Sequence, residues 1–216
     1  MIDIVAETDW ATISALATAG GTLVLALATF ASVRSANRSA RLAEQALQEQ
    51  RRPVLVQSRL DDPGQKIMFI EGHWVHAQGG GAVVEESDGT LYLALSLRNV
   101  GAGIGVLQGW YPWSEFRPGL ADPPPVEEFR RQTRDLYIPS GDIGMWQGAL
   151  RDLEEQIRAE ISAALTERRP FTVDLLYSDQ VGGQRTISRF GITPVGEGRW
   201  LGHVARHWNL DAPGPR

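Results

Sequence analysis

The chain of 216 residues contains no cysteine and a single lysine, Lys66; its other basic residues are arginines. Without cysteine there are no disulfides, no thiolate metal ligands and no cysteine nucleophile. A cysteine-free domain folds on either side of a membrane, so compartment stays open. Lysine chemistry has only Lys66, which lies in a predicted strand with no motif around it. Catalytic signatures are missing as well: no Walker lysine loop, no H-E-x-x-H and no G-x-S-x-G. Residues 101–106 (GAGIGV) have the outline of a dinucleotide loop. But Val106 stands where the third glycine is needed, and LQGWYPW follows instead of a helix. These are read as turn glycines, and no cofactor is expected.

Charge of one sign is scarce in some segments and concentrated in others. Net charge is −5. Residues 1–33 carry only Asp3, Glu7 and Asp9; residues 34–52 carry Arg34, Arg38, Arg41, Arg51 and Arg52 against Glu44 and Glu49. The rest, 53–216, is mildly acidic. Phosphate backbones need a basic face, so nucleic acid is not an expected partner.

The longest stretch without charge is Ala11–Val33 (ATISALATAGGTLVLALATFASV). As a helix it spans about 35 Å, more than the roughly 30 Å hydrocarbon core of a bilayer. Ile13, Leu16, Leu23, Val24, Leu25, Leu27, Phe30 and Val33 favour insertion by about 2–5 kcal/mol together. Gly20, Gly21 and the hydroxyl residues offset part of this. Ala26-Leu27-Ala28 matches a signal-peptidase site, but a signal peptide needs a basic leader and the residues before this stretch are acidic. A membrane span is the expectation. Arginines follow it and none precedes it, which predicts N-terminus out and C-terminus in, a single-pass cell-membrane protein with a cytosolic domain. Trp10 then sits at the outer interface and Arg34, Arg38 and Arg41 face the anionic inner leaflet.

Good helix formers continue through 34–50, and Pro53 is the first proline. Along alternating steps of three and four, Thr12, Ala15, Ala19, Thr22, Ala26, Thr29, Val33, Ala36, Ala40, Ala43 and Leu47 form a seam of mostly small residues. Such seams let helices approach closely. The 3.5-residue repeat suits a left-handed pair, so a homodimer with coiled-coil character is expected through Ala15, Ala19, Thr22, Ala26, Ala36, Ala40 and Ala43.

After Pro53 the period changes. RPVLVQSRL alternates as a strand, and KIMFIEGHWVHA (66–77) is a second candidate. Asp88-Gly89 predicts a tight hairpin turn, with Leu91, Leu93, Leu95 and Leu97 on one face of the next strand. GIGVLQGWYPW, TRDLYI, FTVDLLYSD, QRTISRFGI and RWLGHVARHW are further strands. A helix is predicted over 150–169, with Leu150, Leu153, Ile157, Ile161, Ala164 and Leu165 as its apolar stripe. Three consecutive prolines make 120–129 a loop. The expected architecture is mainly β: an antiparallel β-sandwich-like domain with one amphipathic helix, or alternatively an open antiparallel sheet with the helix packed on one face, preceded by a long N-terminal transmembrane and juxtamembrane helix. Its parts are an extracytoplasmic N-terminus (1–10), a span (11–33), a helical linker (34–52), the β-rich domain (53–210) and a flexible tail (211–216).

Trp110, Tyr111 and Trp113 cluster in one strand, whose alternation buries some and exposes others: an exposed set suits a protein-binding patch, and the alternative is a core or edge role. His203 and His207, four apart, are expected on one face of a strand; His73 and His76 point to opposite faces. No metal site is expected from them. Asp174 and Asp179 flank a hairpin and read as solvated carboxylates rather than an acid–base pair. The order EQALQEQRRPVLV, LYLALSLRNVGAGIGV, LLYSDQVGGQRTISRF resembles that of uncharacterised bacterial single-pass membrane proteins with a soluble β-rich domain. The resemblance rests on Leu95, Leu97, Asn99 and Gly101, then Tyr177, Asp179 and Gly182, and implies no catalytic residues. The expected function is a membrane-anchored, cytosol-facing interaction module with the bilayer and a protein as partners. The alternatives are a membrane-tethered hydrolase-like enzyme and an extracytoplasmic binding domain.

Overall fold

The computed structural model describes residues 10–196 and 198–211. The chain divides into two compact units, Met1–Leu47 and Gln48–Arg216. Most of the expected N-terminal segment 1–10 and of the tail 211–216 therefore lies outside the described residues.

Helix α1 (Trp10–Gln50) is one continuous element of 41 residues, so the expected span and linker are a single helix. Its segment Trp10–Glu44 is long and apolar enough to cross a membrane. Four hydroxyls within it are satisfied locally. Ser14 Oγ donates to the Ala11 carbonyl at 2.9 Å, Thr18 Oγ1 to Ser14 at 2.8 Å, Thr22 Oγ1 to Thr18 at 2.8 Å and Thr29 Oγ1 to Leu25 at 2.7 Å. Back-bonding of this kind removes the unpaired donors that hydrocarbon penalises.

The second unit contains β1 (Leu55–Gln57), β2 (Gln65–Met68), β3 (Trp74–Ala77), β4 (Gly81–Ser87), β5 (Thr90–Asn99) and β6 (Gly105–Trp113). It continues with β7 (Arg130–Ile138), β8 (Ile143–Leu150), α2 (Gln156–Thr166), β9 (Phe171–Ser178), β10 (Thr186–Val195) and β11 (Arg199–Asn209). Nine strands form one antiparallel sheet in the order β1-β5-β4-β11-β10-β9-β6-β7, with β8 on the other edge of β5. The sheet curls. Leu93 and Leu95 of β5 and Trp146 of β8 thereby share one core with Leu107, Val173, Leu175 and Phe190. The sandwich-like core expected from the alternation is made by a single sheet folded over itself.

Two readings change at the element level. The stretch 66–77 is not one strand but the β2–β3 hairpin, reversed at Gly72, whose φ is 80° and whose N–H bonds the Phe69 carbonyl at 3.0 Å. It packs Ile67, Phe69 and Val75 against Tyr92 and Ala94 on the outer side of β5. The helix expected over 150–169 covers only Gln156–Thr166, because Leu150 ends β8 and Leu153 is exposed. Its inner face is Ile161 and Ala164. Arg158 and Ser162 hold it over β4: Arg158 Nη2 donates to Glu86 Oε1 at 2.6 Å and Ser162 Oγ donates to Glu86 Oε2 at 2.6 Å. The Asp88-Gly89 hairpin forms as expected, both residues having positive φ (50° and 77°), as a type I′ turn demands.

The connection 114–129 crosses the outer face of β9, β10 and β11 as a strap. Arg189 Nη1 donates to the carbonyls of Ala121 at 2.7 Å and Pro118 at 3.3 Å, and Arg206 Nη1 to Gly119 at 3.0 Å. This explains why every residue of β9 is buried although strands normally alternate.

Candidate binding surface

The three aromatics of β6 separate. Opposite β9, Gln108 of β6 has no partner: Leu107 pairs with Tyr177 and Gly109 with Leu176. An extra residue reverses the phase of the strand. Trp110 therefore turns inward, is 5% exposed, and meets the Trp146 ring edge-on at 5.3 Å. It belongs to the core rather than to an exposed patch. Tyr111 and Trp113 face outward, half-buried, with ring centroids 4.7 Å apart. Arg117 sits over the Trp113 ring, its Cζ 3.6 Å from the centroid. A groove of about 350 Å³ is lined by these rings together with Arg117, Glu128, Ile157 and Glu160. It offers aromatic faces, two arginines (Arg117 and Arg130) and three glutamates (Glu115, Glu128 and Glu160); the aromatic and arginine groups are those enriched at protein–protein hot spots.

Behind this groove the charges are structural. Asp174 and Arg189 are both fully buried and form a two-pronged pair, with Nε to Oδ1 and Nη2 to Oδ2 each at 2.8 Å. Trp113 Nε1 donates to Asp174 Oδ2 at 2.9 Å. The Arg189 guanidinium also sits over Trp208 at 4.8 Å, with Arg206 over the same ring at 5.5 Å. Asp174 is thus not a solvated hairpin carboxylate, because the strap removes it from water. Asp179 is buried as well rather than solvated, but it does act in a turn, its Oδ1 accepting from Gly183 N at 2.8 Å.

The histidines do not converge. A second bulge leaves Ala205 unpaired: Arg189 pairs with Arg206 and Phe190 with Val204. His203 is therefore beside Phe116 on the outer face, and His207 is bonded to Ser188 on the inner one. The extra residue breaks the strand's period of two, so the two histidines, expected on one face, lie on opposite faces. His207 Nδ1 and Ser188 Oγ are 2.6 Å apart, and Ser188 is 2.9 Å from the Tyr177 hydroxyl, which accepts from Leu55 N at 3.2 Å. Ser188 is 0% exposed, so its hydroxyl is not presented to a substrate. His73 pairs with Glu85 and stacks on Tyr92 at 4.2 Å, while His76 packs beside Gly64. Among the described residues no group of three or more His, Asp or Glu side chains is placed to hold a metal.

Burial pushes the His207 imidazole pKa below its ordinary value. The unfolded chain then binds the proton more readily than the folded one, so stability falls as pH drops through the ordinary imidazole range towards the depressed folded value. Carboxylates such as Asp62 and Glu86, whose pKa values are lowered by hydrogen bonds from Arg98 and Ser162, lose their contribution only at lower pH. Urea titrations between about pH 7 and 5 are expected to show this slope in the wild type and a flatter one in His207→Gln.

Comparison with protein-family models, curated proteins and solved structures finds no match. The functional reading therefore stands on the residues themselves.

Proposed function

We propose that this protein is a single-pass, membrane-anchored binding module whose β-domain faces the cytosol and engages a protein partner at the Tyr111–Trp113 groove. The observation that carries the reading is the asymmetric α1: an uncharged stretch over 11–33, acidic residues before it and Arg34, Arg38 and Arg41 after it. Arginines stay on the cytoplasmic side. A half-exposed Tyr–Trp–Arg stack supports the assignment of the surface.

Anchoring is tested by partition. Each arginine at the centre of a span opposes insertion by about 2.5–3.5 kcal/mol, so two outweigh the about 2–5 kcal/mol of the apolar residues. Full-length chain is expected to remain with membranes through an alkaline wash, and the double variant Leu23→Arg, Leu27→Arg to be released. Retention of both equally contradicts a span at this position.

The same helix supports self-association. Ala15, Ala19, Thr22 and Ala26 line a shallow open groove along α1 together with Ser14, Thr18 and Leu23. Small residues there allow a second copy to approach, and Ala36, Ala40 and Ala43 extend the line into the juxtamembrane turns. Ala19→Leu with Ala26→Leu is expected to reduce crosslinked dimer severalfold in membranes. An unchanged dimer yield assigns the contact elsewhere.

A further inference from the structure

The seam between β7 and β8 holds polar groups that the fold leaves unpaired. No ladder joins these two strands among the described residues. In β7, Leu136 pairs with Leu107 and Arg131 with Gly109, so residues 132–135 stand opposite the single Gln108. This large bulge leans towards its neighbours: Gln132 Nε2 donates to the Gln147 carbonyl at 3.0 Å, and Arg134 Nη1 to the Met68 carbonyl at 3.0 Å. Bulges commonly re-aim side chains next to functional sites.

Between the bulge and β8 is a cavity of about 190 Å³. That is smaller than the roughly 300–1,000 Å³ of pockets for drug-sized ligands, and on the scale of a short-chain metabolite. Trp110 forms part of its wall. It reaches the seam because Gly148 lacks a side chain: a Cβ there would lie 2.7 Å from the Trp146 ring and 2.9 Å from that of Trp110. Gln147 lines the cavity, is only 6% exposed, and its Oε1 has no hydrogen-bond partner in the protein. Gln132 Oε1 is buried and unpartnered beside it. Buried amide oxygens are nearly always bonded, so two in one cavity define a pair of acceptors prepared for a donor.

Charge selects the rest of the ligand. Three arginines are among the residues that line the cavity, Arg131 at its exposed rim. Arg130 is paired with Glu155 and Arg151 with Glu71. Arg131 has no ion pair among the described residues and leaves one uncompensated positive charge. An ammonium donor would be opposed by these cations, whereas a hydroxyl is not.

We propose that the β7–β8 cavity binds a small monoanionic hydroxycarboxylic acid, its hydroxyl groups donating to Gln132 Oε1 and Gln147 Oε1 and its carboxylate meeting Arg131. This site is independent of the Tyr111–Trp113 surface and of the chain's orientation in the membrane.

Calorimetric titration of the full chain in lipid nanodiscs tests it, with glycerate, propionate and alanine as probes. Glycerate is expected to bind at least tenfold more tightly than propionate, which lacks the hydroxyls, and than alanine, which carries an ammonium. Gln147→Leu is expected to weaken glycerate at least tenfold without lowering the thermal transition, since it removes an unpaired oxygen. Arg131→Ala is expected to weaken glycerate and propionate by a similar factor. Gln132→Leu replaces Gln147→Leu as the probe of the acceptors if the latter loses its thermal transition. The proposal is overturned if glycerate produces no saturable heat, if propionate or alanine binds as tightly, or if glycerate affinity survives the glutamine substitutions.

Discussion

Replacing Asp174 by alanine is expected to destabilise the β-domain by about 3–5 kcal/mol, the usual consequence of stranding one member of a buried ion pair. Total stabilities are about 5–15 kcal/mol, so the loss is a large fraction of what holds the fold. The reason is the position of Arg189, which is fully buried and would keep its charge with no carboxylate beside it, only strap carbonyls and the Trp208 ring. Trp113 would also lose the acceptor for its indole N–H. Removing both charges, as Asp174→Leu with Arg189→Met, is expected to recover much of the stability, because no lone charge remains. It is not expected to restore the strap. The Pro118 and Ala121 carbonyls lose their donor, and limited proteolysis within 114–129 should accelerate in the double variant. Urea unfolding of the chain in detergent, followed by tryptophan fluorescence, measures the first effect. A loss below about 1 kcal/mol for Asp174→Ala would mean that the pair is solvated, as exposed pairs are.

Asn99→Leu is the second large effect. Asn99 is fully buried and uses its whole amide. Oδ1 accepts from Val54 N at 3.1 Å and Gly101 N at 3.0 Å, while Nδ2 donates to the Gly103 carbonyl at 2.6 Å and to Ile138 at 2.9 Å. One side chain thus joins the start of β1, the turn after β5 and the end of β7. Leaving a buried backbone group unpaired costs about 1–3 kcal/mol, so losing at least two of these bonds gives about 2–6 kcal/mol. Asn99→Asp sharpens the test. It retains the acceptor but sets a second oxygen against two carbonyls, so the carboxyl is driven to keep its proton and its folded pKa rises above the unfolded one. The deficit of Asn99→Asp against wild type should therefore shrink as pH falls through that raised value, the opposite of the trend set by His207.

Asn99 also shows what the strand-end pattern Leu95, Leu97, Asn99, Gly101 encodes. These residues, with Tyr177 bonding Leu55 and Asp179 bonding Gly183, tie strands and turns together. Their roles are strand and turn chemistry, so no reaction can be read from them.

Legibility followed periodicity. The α1 stretch, the Asp88-Gly89 hairpin and the existence of strands β9, β10 and β11 follow from the apolar patterns, and they appear where the patterns place them. Strand β8 was missed because its inward positions alternate small and large, Gly144, Trp146, Gly148 and Leu150. The glycines make room for Ile138 and Trp110 and erase the apolar alternation. The two bulges, at Gln108 and Ala205, carry no local signal, yet they decide which way Trp110 and His203 point. The seam cavity depends on β8 and on the bulge in β7, so Gln132 and Gln147 were invisible in sequence: each is an ordinary glutamine until the curled sheet brings them together. Asp174 and Arg189 are likewise separated in the chain, and only the strap over them turns two surface-type residues into a buried pair.

The proposed placement of the β-domain on the cytosolic face of a membrane is directly measurable, because the chain has no cysteine. Val181, in the turn between β9 and β10, is 71% exposed and takes a single cysteine with little structural consequence. Intact cells carrying Val181→Cys are treated with a membrane-impermeant maleimide, and the same cells are treated after lysis. Labelling only after lysis is the predicted result. Labelling of intact cells to the same extent would contradict the orientation and place the Tyr111–Trp113 groove outside the cell.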